Sequence, residues 1–316
     1  MSTLTGGVLV AGSANLDFVV RAHHVPAPGE TVLGRDFATF PGGKGANQAV
    51  ACARAGGAET RMLLALGDDA HAAVLERSLL DSGVQPIIVR TPGVATGTAF
   101  ICLSDDAENA ITVAPGANAL LKSRHLPALR GTRHLLLQLE TPLETVAAYA
   151  RTARAAGVRV VLNAAPAQAL QAALLADVDV LVVNEGELAT LAGAGSVAEQ
   201  VARMAVPCVV VTLGARGCLA RRGGEIHVQP AFAVDAVDTT GAGDTFCGAL
   251  TARLAQGTPL AEALRFASAA SALACTRLGA QSSVPARAEV EALLAASPEE
   301  SSPHGRDALA IHCGLS

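Results

Sequence analysis

The sequence contains no tryptophan, and aromatic side chains make up only 3% of its 316 residues. Hydrophobic residues nevertheless account for 51% of the chain, so a core built from them must be aliphatic. Dense runs of Lys and Arg are also missing, and the formal net charge is −5. Because nucleic-acid binding depends on clustered positive charge, this composition argues against a nucleic-acid partner.

Long apolar runs and cysteine pairs are absent as well. Charged residues, Gly or Pro interrupt every apolar run well before the roughly 18 residues that a membrane-spanning helix needs, so we expect no membrane partner. Met1–Gly7 lacks a basic region followed by an apolar stretch, so we find no secretory signal and expect a cytoplasmic protein. The seven cysteines include no Cys-x-x-Cys pair, which favours reduced thiols over a disulfide framework or a zinc site.

Short apolar segments alternate with longer, Ala-rich segments of helical pattern along most of the chain. Segments that are hydrophobic at every position and separated by helices are typical of parallel strands covered on both faces. We therefore predict a three-layer α/β fold, in which a predominantly parallel central sheet lies between helices. The predicted strands are Val8–Ala11, Arg61–Leu66, His134–Leu139, Val158–Leu162, Val180–Val183 and Cys208–Leu213.

Two regions depart from this alternation. Residues 17–40 and 96–113 contain interleaved polar and apolar residues that are typical of strands, and neither region contains a helical pattern. We predict that they form a small second sheet that serves as a lid, although a pair of surface hairpins would have the same pattern. Its predicted strands are Phe18–Arg21, Thr31–Thr39, Thr98–Leu103 and Ala110–Val113. The domain is expected to span residues 1–296, and the polar, turn-rich residues 297–316 are predicted to be a flexible C-terminal tail.

A Gly-rich turn in Asp238–Phe246 runs directly into a helical pattern. The N-terminus of a helix presents unpaired N–H groups and the positive end of the helix dipole, which makes it an anion site. Small residues at Gly241, Ala242 and Gly243 would let a phosphate approach, and Asp244 could accept the proton of an attacking hydroxyl. Phosphoryl transfer needs both functions. Taken alone, these residues would also fit a tight turn with an Asp N-cap.

Longer segments resemble the signatures of a known family. Ala236–Phe246 is similar to the C-terminal signature of the ribokinase family (PfkB-type carbohydrate kinases), and Phe40–Ala49 is similar to its N-terminal signature. The two lie about 200 residues apart in the family's order, and the resemblance extends over residues 7–296. Shorter matches are Gly12–Asp17, Pro28–Thr31, Thr96–Ala99, Ala114–Asn118, Gln138–Pro142, Leu162–Pro166, Asn184–Glu187 and Val211–Gly217.

This resemblance implies an ATP-dependent sugar kinase with Asp244 as the catalytic base and Gly241, Ala242 and Gly243 as the anion hole. The segment Gly42–Ala49 is closer to members that act on ribose than to those that act on fructose or adenosine, so D-ribose and its 5-hydroxyl are the expected substrate and acceptor. The implied substrate-binding residues are Asn15, Asp17, Gly43, Lys44, Asn47, Glu140 and Asp244. Outside the family context, an isolated Asp or Asn after a strand is more commonly a turn former.

The resemblance also implies sites for ATP and for cations. The implied nucleotide residues are Asn184, Glu187, Thr212, Gly214, Gly217, Gly243 and Ser268, although Asn184 and Glu187 would equally fit a helix capping box. The sequence lacks the Walker A pattern and any obvious substitute for its lysine, so Mg²⁺ is expected to neutralise much of the phosphate charge. A monovalent cation, expected to be K⁺, would lie near Asp238, Thr240, Ala274, Gly279 and Ser283.

Two departures and several alternatives accompany this interpretation. Ser268 stands where many family members carry His or Asn near the adenine, and residues 278–283 lack the basic residue and the proline common in the cation loop. The resemblance further implies a homodimer formed through the lid. The alternatives are a kinase for 2-deoxyribose, another pentose or a nucleoside, and a non-catalytic sugar-binding regulator. The intact Asp244 and anion-hole glycines argue against the regulator.

Overall fold

Strands and helices alternate along most of residues 7–105, 109–297 and 303–315, which are the residues that the computed structural model describes. The strands are β1 (Gly7–Ala11), β2 (Asn15–Arg21), β3 (Asp36–Gly42), β4 (Thr60–Leu66), β5 (Val84–Arg90), β6 (Gly97–Leu103), β7 (Asn109–Ala114), β8 (Thr132–Leu137), β9 (Arg159–Asn163), β10 (Val180–Asn184), β11 (Cys208–Thr212), β12 (Gly217–Arg222) and β13 (Glu225–Pro230). The helices are α1 (Lys44–Arg54), α2 (Ala70–Asp81), α3 (Leu143–Ala155), α4 (Ala172–Leu175), α5 (Glu185–Ala192), α6 (Val197–Arg203), α7 (Ala242–Ala255), α8 (Leu260–Ala274), α9 (Arg287–Ala296) and α10 (Pro303–Cys313).

The larger sheet has the order β13-β12-β11-β10-β9-β8-β1-β4-β5. Neighbouring strands from β11 through β5 are parallel, whereas β12 and β13 form an antiparallel hairpin at one edge. Successive side chains of a strand point to opposite faces, and both faces of β1 are covered. Val8 and Val10 belong to the core cluster that includes buried residues of α1, α2, α7, α8 and α9, and Leu9 and Ala11 belong to the cluster that includes buried residues of α3, α4, α5, α6 and α10. The predicted three-layer α/β fold is confirmed.

A second sheet has the order β3-β2-β6-β7 and is built from the two regions that depart from the α/β alternation. β2 pairs antiparallel with β3 and parallel with β6, and β6 pairs antiparallel with β7. One expected strand, Thr31–Thr39, is shorter than predicted: β3 begins only at Asp36, after a turn in which the Glu30 N–H donates to the Ala27 carbonyl. This sheet lies beside the start of α1 because β3 leads directly into that helix.

The C-terminal segment, which the sequence predicts to be a flexible tail, contains a helix. Part of it, residues 298–302 and 316, lies outside the described residues, but residues 303–313 form helix α10. Leu309 and Cys313 are buried in the core on the α3 side of the sheet, and His312 Nε2 lies 3.0 Å from Glu185 Oε1. The sequence analysis did not predict this helix, because the residues before it are polar and it contributes few apolar residues to the core. Those contacts depend on the surface against which the helix packs.

Two expectations from composition can be compared with the structure. All seven cysteines are free thiols. Across the described ranges, none of the helices is both long enough and apolar enough to cross a membrane.

Candidate active site

The residues singled out from the sequence converge at the carboxyl-terminal edge of the larger sheet. Parallel α/β sheets present ligand sites at this edge, because the chain leaves each strand there to enter a loop or a helix. Here the ends of β1 and β8 lead to Ser13 and Glu140, while α1 and α7 begin at Lys44 and Ala242. One end of the site is formed by charged side chains, which we call the carboxylate end. The other is an apolar cavity.

The start of α7 is a tight turn that requires glycine. Gly241 is the N-cap and has a left-handed backbone with φ of 74°. A Cβ at this position would lie 2.9 Å from the Cα of Ala280, so the loop after α8 also excludes a side chain here. The first-turn N–H groups of an α-helix have no intrahelical acceptor. The turn therefore presents N–H donors and the positive helix end at the rim of the cavity, as an anion site requires.

Asp244 lies in the first turn of α7 with 8% of its surface exposed. Its Oδ2 accepts a hydrogen bond from Asn47 Nδ2 at 3.0 Å, and its Oδ1 accepts one from Gln48 Nε2 at 2.8 Å. Both donors belong to α1, which approaches α7 closely because Gly248 has no side chain: a Cβ there would lie 2.4 Å from the Gln48 carbonyl oxygen. The carboxylate is thus held in one orientation while keeping lone pairs available to a substrate hydroxyl.

Asp17 and Glu140 supply the rest of the carboxylate end. Burial raises the pKa of Asp17 to about 7, and the nearby charges of Glu140 and Asp244 add to that rise. The Asp17 carboxylate lies against the backbone of Gly42, where a Cβ would be 2.0 Å from Oδ2. Glu140 Oε2 accepts hydrogen bonds from Ser13 Oγ at 2.6 Å and from the Lys44 backbone N–H at 3.0 Å. Three carboxylates therefore surround one polar space, a pattern that suits a ligand with several hydroxyl groups.

Lys44 is the cation closest in electrostatic terms to this cluster. The charge of Asp244 raises the pKa of Lys44, burial opposes that rise, and the charges of Glu140 and Glu187 reinforce it. The Lys44 ammonium group is therefore electrostatically coupled to Asp244, Glu140 and Glu187.

Asn15 and Gly43 lie where the chain passes between the two sheets. Asn15 is 2% exposed, and its Oδ1 accepts a hydrogen bond from Asn118 Nδ2 at 2.8 Å. Gly43 has φ of 88°, and a Cβ there would lie 2.8 Å from the Cα of Ala14. Both residues border the carboxylate end, since Asn15 pairs with Gly42, whose backbone lies against the Asp17 carboxylate, and Gly43 follows Gly42 directly.

The apolar cavity has a volume of about 330 Å³ and lies between α7, α8 and the loop that joins β11 to β12. It brings together five of the seven residues expected at the nucleotide: Thr212, Gly214, Gly217, Gly243 and Ser268. The rest of its lining is mainly apolar and includes Ala231, Phe232, Val234, Ala236, Phe246, Ala272 and Cys275. A cavity of this size lined mainly by apolar groups with a few hydroxyls is typical of a small-ligand site.

Asn184 and Glu187 are not among the residues that line the cavity. They form a reciprocal capping box at the start of α5, in which each side chain accepts a backbone N–H of the other at 2.8 Å. Burial raises the pKa of Glu187, although the Asn184 N–H and the charge of Lys44 act in the opposite direction. Glu187 therefore belongs to the same electrostatic cluster as Lys44 and Asp244, in addition to its role in capping.

The residues expected at the monovalent cation lie on the loop before α7, at the last residue of α8 and on the loop after α8, and Asp238 joins the two loops. Its carboxylate accepts the Thr240 N–H and the Gly279 N–H, both at 2.9 Å. Burial acts to raise the pKa of Asp238, but these hydrogen bonds outweigh it and lower that pKa. Ser283 is fully buried, with its Oγ donating to the Ala280 carbonyl at 3.1 Å. Within the described ranges, no group of three or more His, Cys, Asp or Glu side chains is placed so that it could hold a metal ion.

Comparisons with known proteins agree with this geometry. The model of the pfkB family of carbohydrate kinases matches residues 6–287. The ribokinase of Haemophilus influenzae is 39% identical over 293 residues, which cover 89% of this chain and 95% of the relative. The chain therefore belongs to the pfkB family of carbohydrate kinases.

Two further similarities concern the substrate. The solved structure of Arabidopsis thaliana ribokinase complexed with ribose and ATP has a TM-score of 0.83 and 35% identity, covering 90% of this chain and 97% of that one. A deoxyribokinase of Salmonella typhi is 34% identical over 293 residues, covering 88% of this chain and 95% of the relative. Both a ribose and a deoxyribose kinase are thus similar to this chain over nearly their whole length.

Proposed function

We propose that this carbohydrate kinase transfers the γ-phosphoryl group of ATP to the 5-hydroxyl of D-ribose, with Asp244 as the catalytic base. The observation that carries the proposal is the position of Asp244: it belongs to the carboxylate end and lies in the first turn of α7, directly after Gly243, which lines the apolar cavity. A hydroxyl held at the carboxylate end can lose its proton to Asp244 while it attacks a phosphate held at the helix N-terminus.

The sugar is expected to bind through Asp17, Asn47 and Glu140, with Lys44, Gly43 and Asn15 at the border. Carboxylates accept hydrogen bonds from hydroxyl groups, and each can hold two of them. An Asp17 with a pKa near 7 would recover hydrogen bonds to its charged form on binding, because sugar hydroxyls take the place of lost water. The small second sheet would act as a lid that excludes water from the transferred group.

The nucleotide is expected to occupy the apolar cavity, with the adenine beside Ser268 and the phosphates along Thr212, Gly214 and Gly217 toward Gly241–Gly243. The helix N-terminus would stabilise the charge that develops on the phosphoryl group. Kinases of this kind generally need a divalent metal, and Mg²⁺ would neutralise the phosphates. Glu187 fits that ion, because Mg²⁺ is commonly held by one or two carboxylates together with the phosphates and water.

A monovalent cation, which we take to be K⁺, would bind beside Asp238, with Thr240, Ala274, Gly279 and Ser283 as the neighbouring residues. The support is that Asp238 already joins residues 240 and 279 through hydrogen bonds. These loops also contact the anion site, since Gly241 lies against Ala280. A cation there would fix the shape of the turn without taking part in the chemistry.

The lid sheet is also proposed to form a homodimer. Its support is an exposed apolar face, in which Phe18 stacks with Phe37 and Phe100, whose surfaces are 66% and 54% exposed. Aromatic groups gathered on a surface mark an interaction site. Phe37→Asp should convert the dimer to a monomer in light scattering. Ile226→Asp, an exposed apolar residue on β13, is the matched control and should leave the mass unchanged; a monomeric wild type would contradict the proposal.

A kinase for 2-deoxyribose is the second candidate, because the chain is also similar to a deoxyribokinase. The test is ADP release with Mg-ATP across D-ribose, 2-deoxyribose, fructose and adenosine, in K⁺ and in Na⁺, with the phosphorylated position identified by NMR. We expect the highest kcat/KM with ribose, phosphorylation at the 5-hydroxyl and stimulation by K⁺. A preference for 2-deoxyribose would make that sugar, and not ribose, the proposed substrate, and no turnover with any sugar would favour a regulator.

The reaction is expected to occur in the cytoplasm, in agreement with seven free thiols.

A further inference from the structure

We propose that Gln48 is a positioning residue for the catalytic base, which it orients through a relay of buried amides anchored in the central sheet. The inference rests on the proposed role of Asp244 and deepens it. Gln48 is fully buried, and its Nε2 donates to Asp244 Oδ1 at 2.8 Å and to Asn163 Oδ1 at 3.0 Å. One amide nitrogen thereby uses both of its hydrogens on the base and on a residue at the end of β9.

The direction of the relay follows from the chemistry of its members. An ionised carboxylate only accepts hydrogen bonds, so Gln48 must present Nε2, not Oε1, to Asp244. Gln48 Oε1 consequently points away and accepts a hydrogen bond from Gln138 Nε2 at 2.6 Å. Reversing either glutamine amide would place two acceptors or two donors against each other. The orientation of Gln138 is therefore coupled to that of the base through Gln48.

The relay is attached to the central sheet. Gln138 directly follows β8 and is fully buried, and Asn163 ends β9 and donates through Nδ2 to the Val182 carbonyl of β10 at 3.2 Å. Asn47, the other donor to Asp244, is instead tied to a loop, because its Oδ1 accepts from Gln281 Nε2 at 3.2 Å. Gln48 thus connects the base to the sheet, and Asn47 connects it to the loop after α8.

The relay also contains an uncompensated polar atom. Gln138 Oε1 is buried and has no hydrogen-bond partner among the described residues. It points toward Gly12, where a Cβ would lie 2.0 Å from it. A buried acceptor without a partner is unfavourable, and an apolar side chain of similar volume would fill the same space without that cost. A packing role alone does not account for Gln138, whereas the need to orient Gln48 does.

The test compares three variants of the full chain. Gln48→Met keeps the volume and removes the N–H donor, Gln48→Glu keeps the shape and places a second carboxylate beside Asp244, and Gln200→Met is the control. Gln200 is also a buried glutamine, but it lies in α6, and its Nε2 donates to the Gly193 carbonyl, not to a residue of the relay. The measurements are kcat and KM for ribose, the Kd of ribose by calorimetry, and the melting temperature.

For Gln48→Met we expect kcat to fall by about 100-fold, the size of effect that a misplaced catalytic group produces, while the Kd of ribose changes by less than about threefold. Gln48→Glu should have a lower kcat than Gln48→Met, because like charges repel, whereas a role in packing predicts the reverse. Gln200→Met should retain the kcat of the wild type.

A second variant, Gln138→Leu, tests the relay even if Gln48→Met does not fold, and it should lower kcat by about tenfold. Where Gln48→Met folds, the double variant should be no slower than Gln48→Met alone, because residues that act as a unit are not additive. Wild-type kcat in Gln48→Met, equal losses of kcat and ribose affinity, or additive effects in the double variant would overturn the inference. An inactive wild-type chain would instead overturn the proposed function on which it rests.

Discussion

The two ends of the site are built in different ways. At the carboxylate end, Asp17, Glu140 and Asp244 surround a polar space, and amide or hydroxyl donors hold two of them in place. At the other end, a cavity of about 330 Å³ is lined mainly by apolar groups and by a Gly-rich loop. A polar site that loses one hydrogen-bonding partner leaves others unpaired, whereas an apolar cavity tolerates small changes. Substitutions should therefore affect sugar recognition and catalysis more than nucleotide binding.

Asp244→Asn should have the largest effect. The amide cannot accept a proton at neutral pH, and removal of a general base lowers kcat by about 10³-fold. The Kd of ribose should change by much less, since the side chain keeps its shape. Steady-state kinetics and calorimetry measure the two quantities. Asp81→Asn, an exposed residue at the end of α2, is the matched control, and unchanged kcat in Asp244→Asn would exclude this residue as the base.

Asp17→Asn should weaken ribose binding by about 100-fold, because a charged hydrogen-bond acceptor is lost. It should also change the dependence of stability on pH in the absence of ligand. The folded protein holds the Asp17 proton more tightly than the unfolded chain, since the pKa is raised from 3.8 to about 7. This tighter proton binding adds to the free energy of unfolding. The addition is present in full below pH 3.8 and is lost as the pH rises through about 7.

The difference between Asp17→Asn and wild type in free energy of unfolding should therefore grow from about pH 4 to about pH 8, in favour of the variant. Its size should be on the order of 2 kcal/mol, allowing for partial exposure of the side chain. Urea unfolding at several pH values gives the comparison. A difference that is constant with pH would show that folding does not raise the pKa of Asp17.

Gly241→Ala tests whether the turn before α7 needs the backbone conformation of glycine, and Gly243→Ala tests whether the cavity needs the space that a glycine leaves. At Gly241 the positive φ and the contact with Ala280 both oppose a side chain, so kcat should fall by about 100-fold through distortion of the anion site. At Gly243 a Cβ meets no atom within 4 Å, so Gly243→Ala should fold as well as wild type. Because Gly243 lines the cavity, its KM for ATP should rise. Equal kcat losses in the two variants would contradict this distinction.

Ser268→Ala should have the smallest effect. Ser268 is 7% exposed, and its Oγ lies 3.8 Å from Cys218 Sγ, so its contribution to base recognition is expected to be modest. The KM for ATP should change by less than about threefold, the size of one weak hydrogen bond. A loss of about 100-fold would mean that a specific base contact, and not the shape of the cavity, selects the nucleotide.

Features that depend on neighbouring residues could be predicted without coordinates. The strands of the central sheet are apolar at successive positions, and the turn at Gly241 needs a backbone that glycine alone adopts easily, so both are visible in short segments. The family signatures placed Asp244 at a helix start for the same reason. The capping box of Asn184 and Glu187 was likewise predictable from its spacing of three residues.

Features that depend on contacts between distant residues required the fold. Gln48 and Asp244 are 196 positions apart, and only the close approach of α1 and α7 brings them together. The raised pKa of Asp17 follows from burial beside two other carboxylates, and the docking of α10 follows from the surface that Leu309 and Cys313 meet. Composition, periodicity and local turns are properties of a segment, and so the amino-acid sequence by itself determines them. Burial, electrostatic coupling and the choice of hydrogen-bond partner are properties of a packed assembly, and so the tertiary structure decided them.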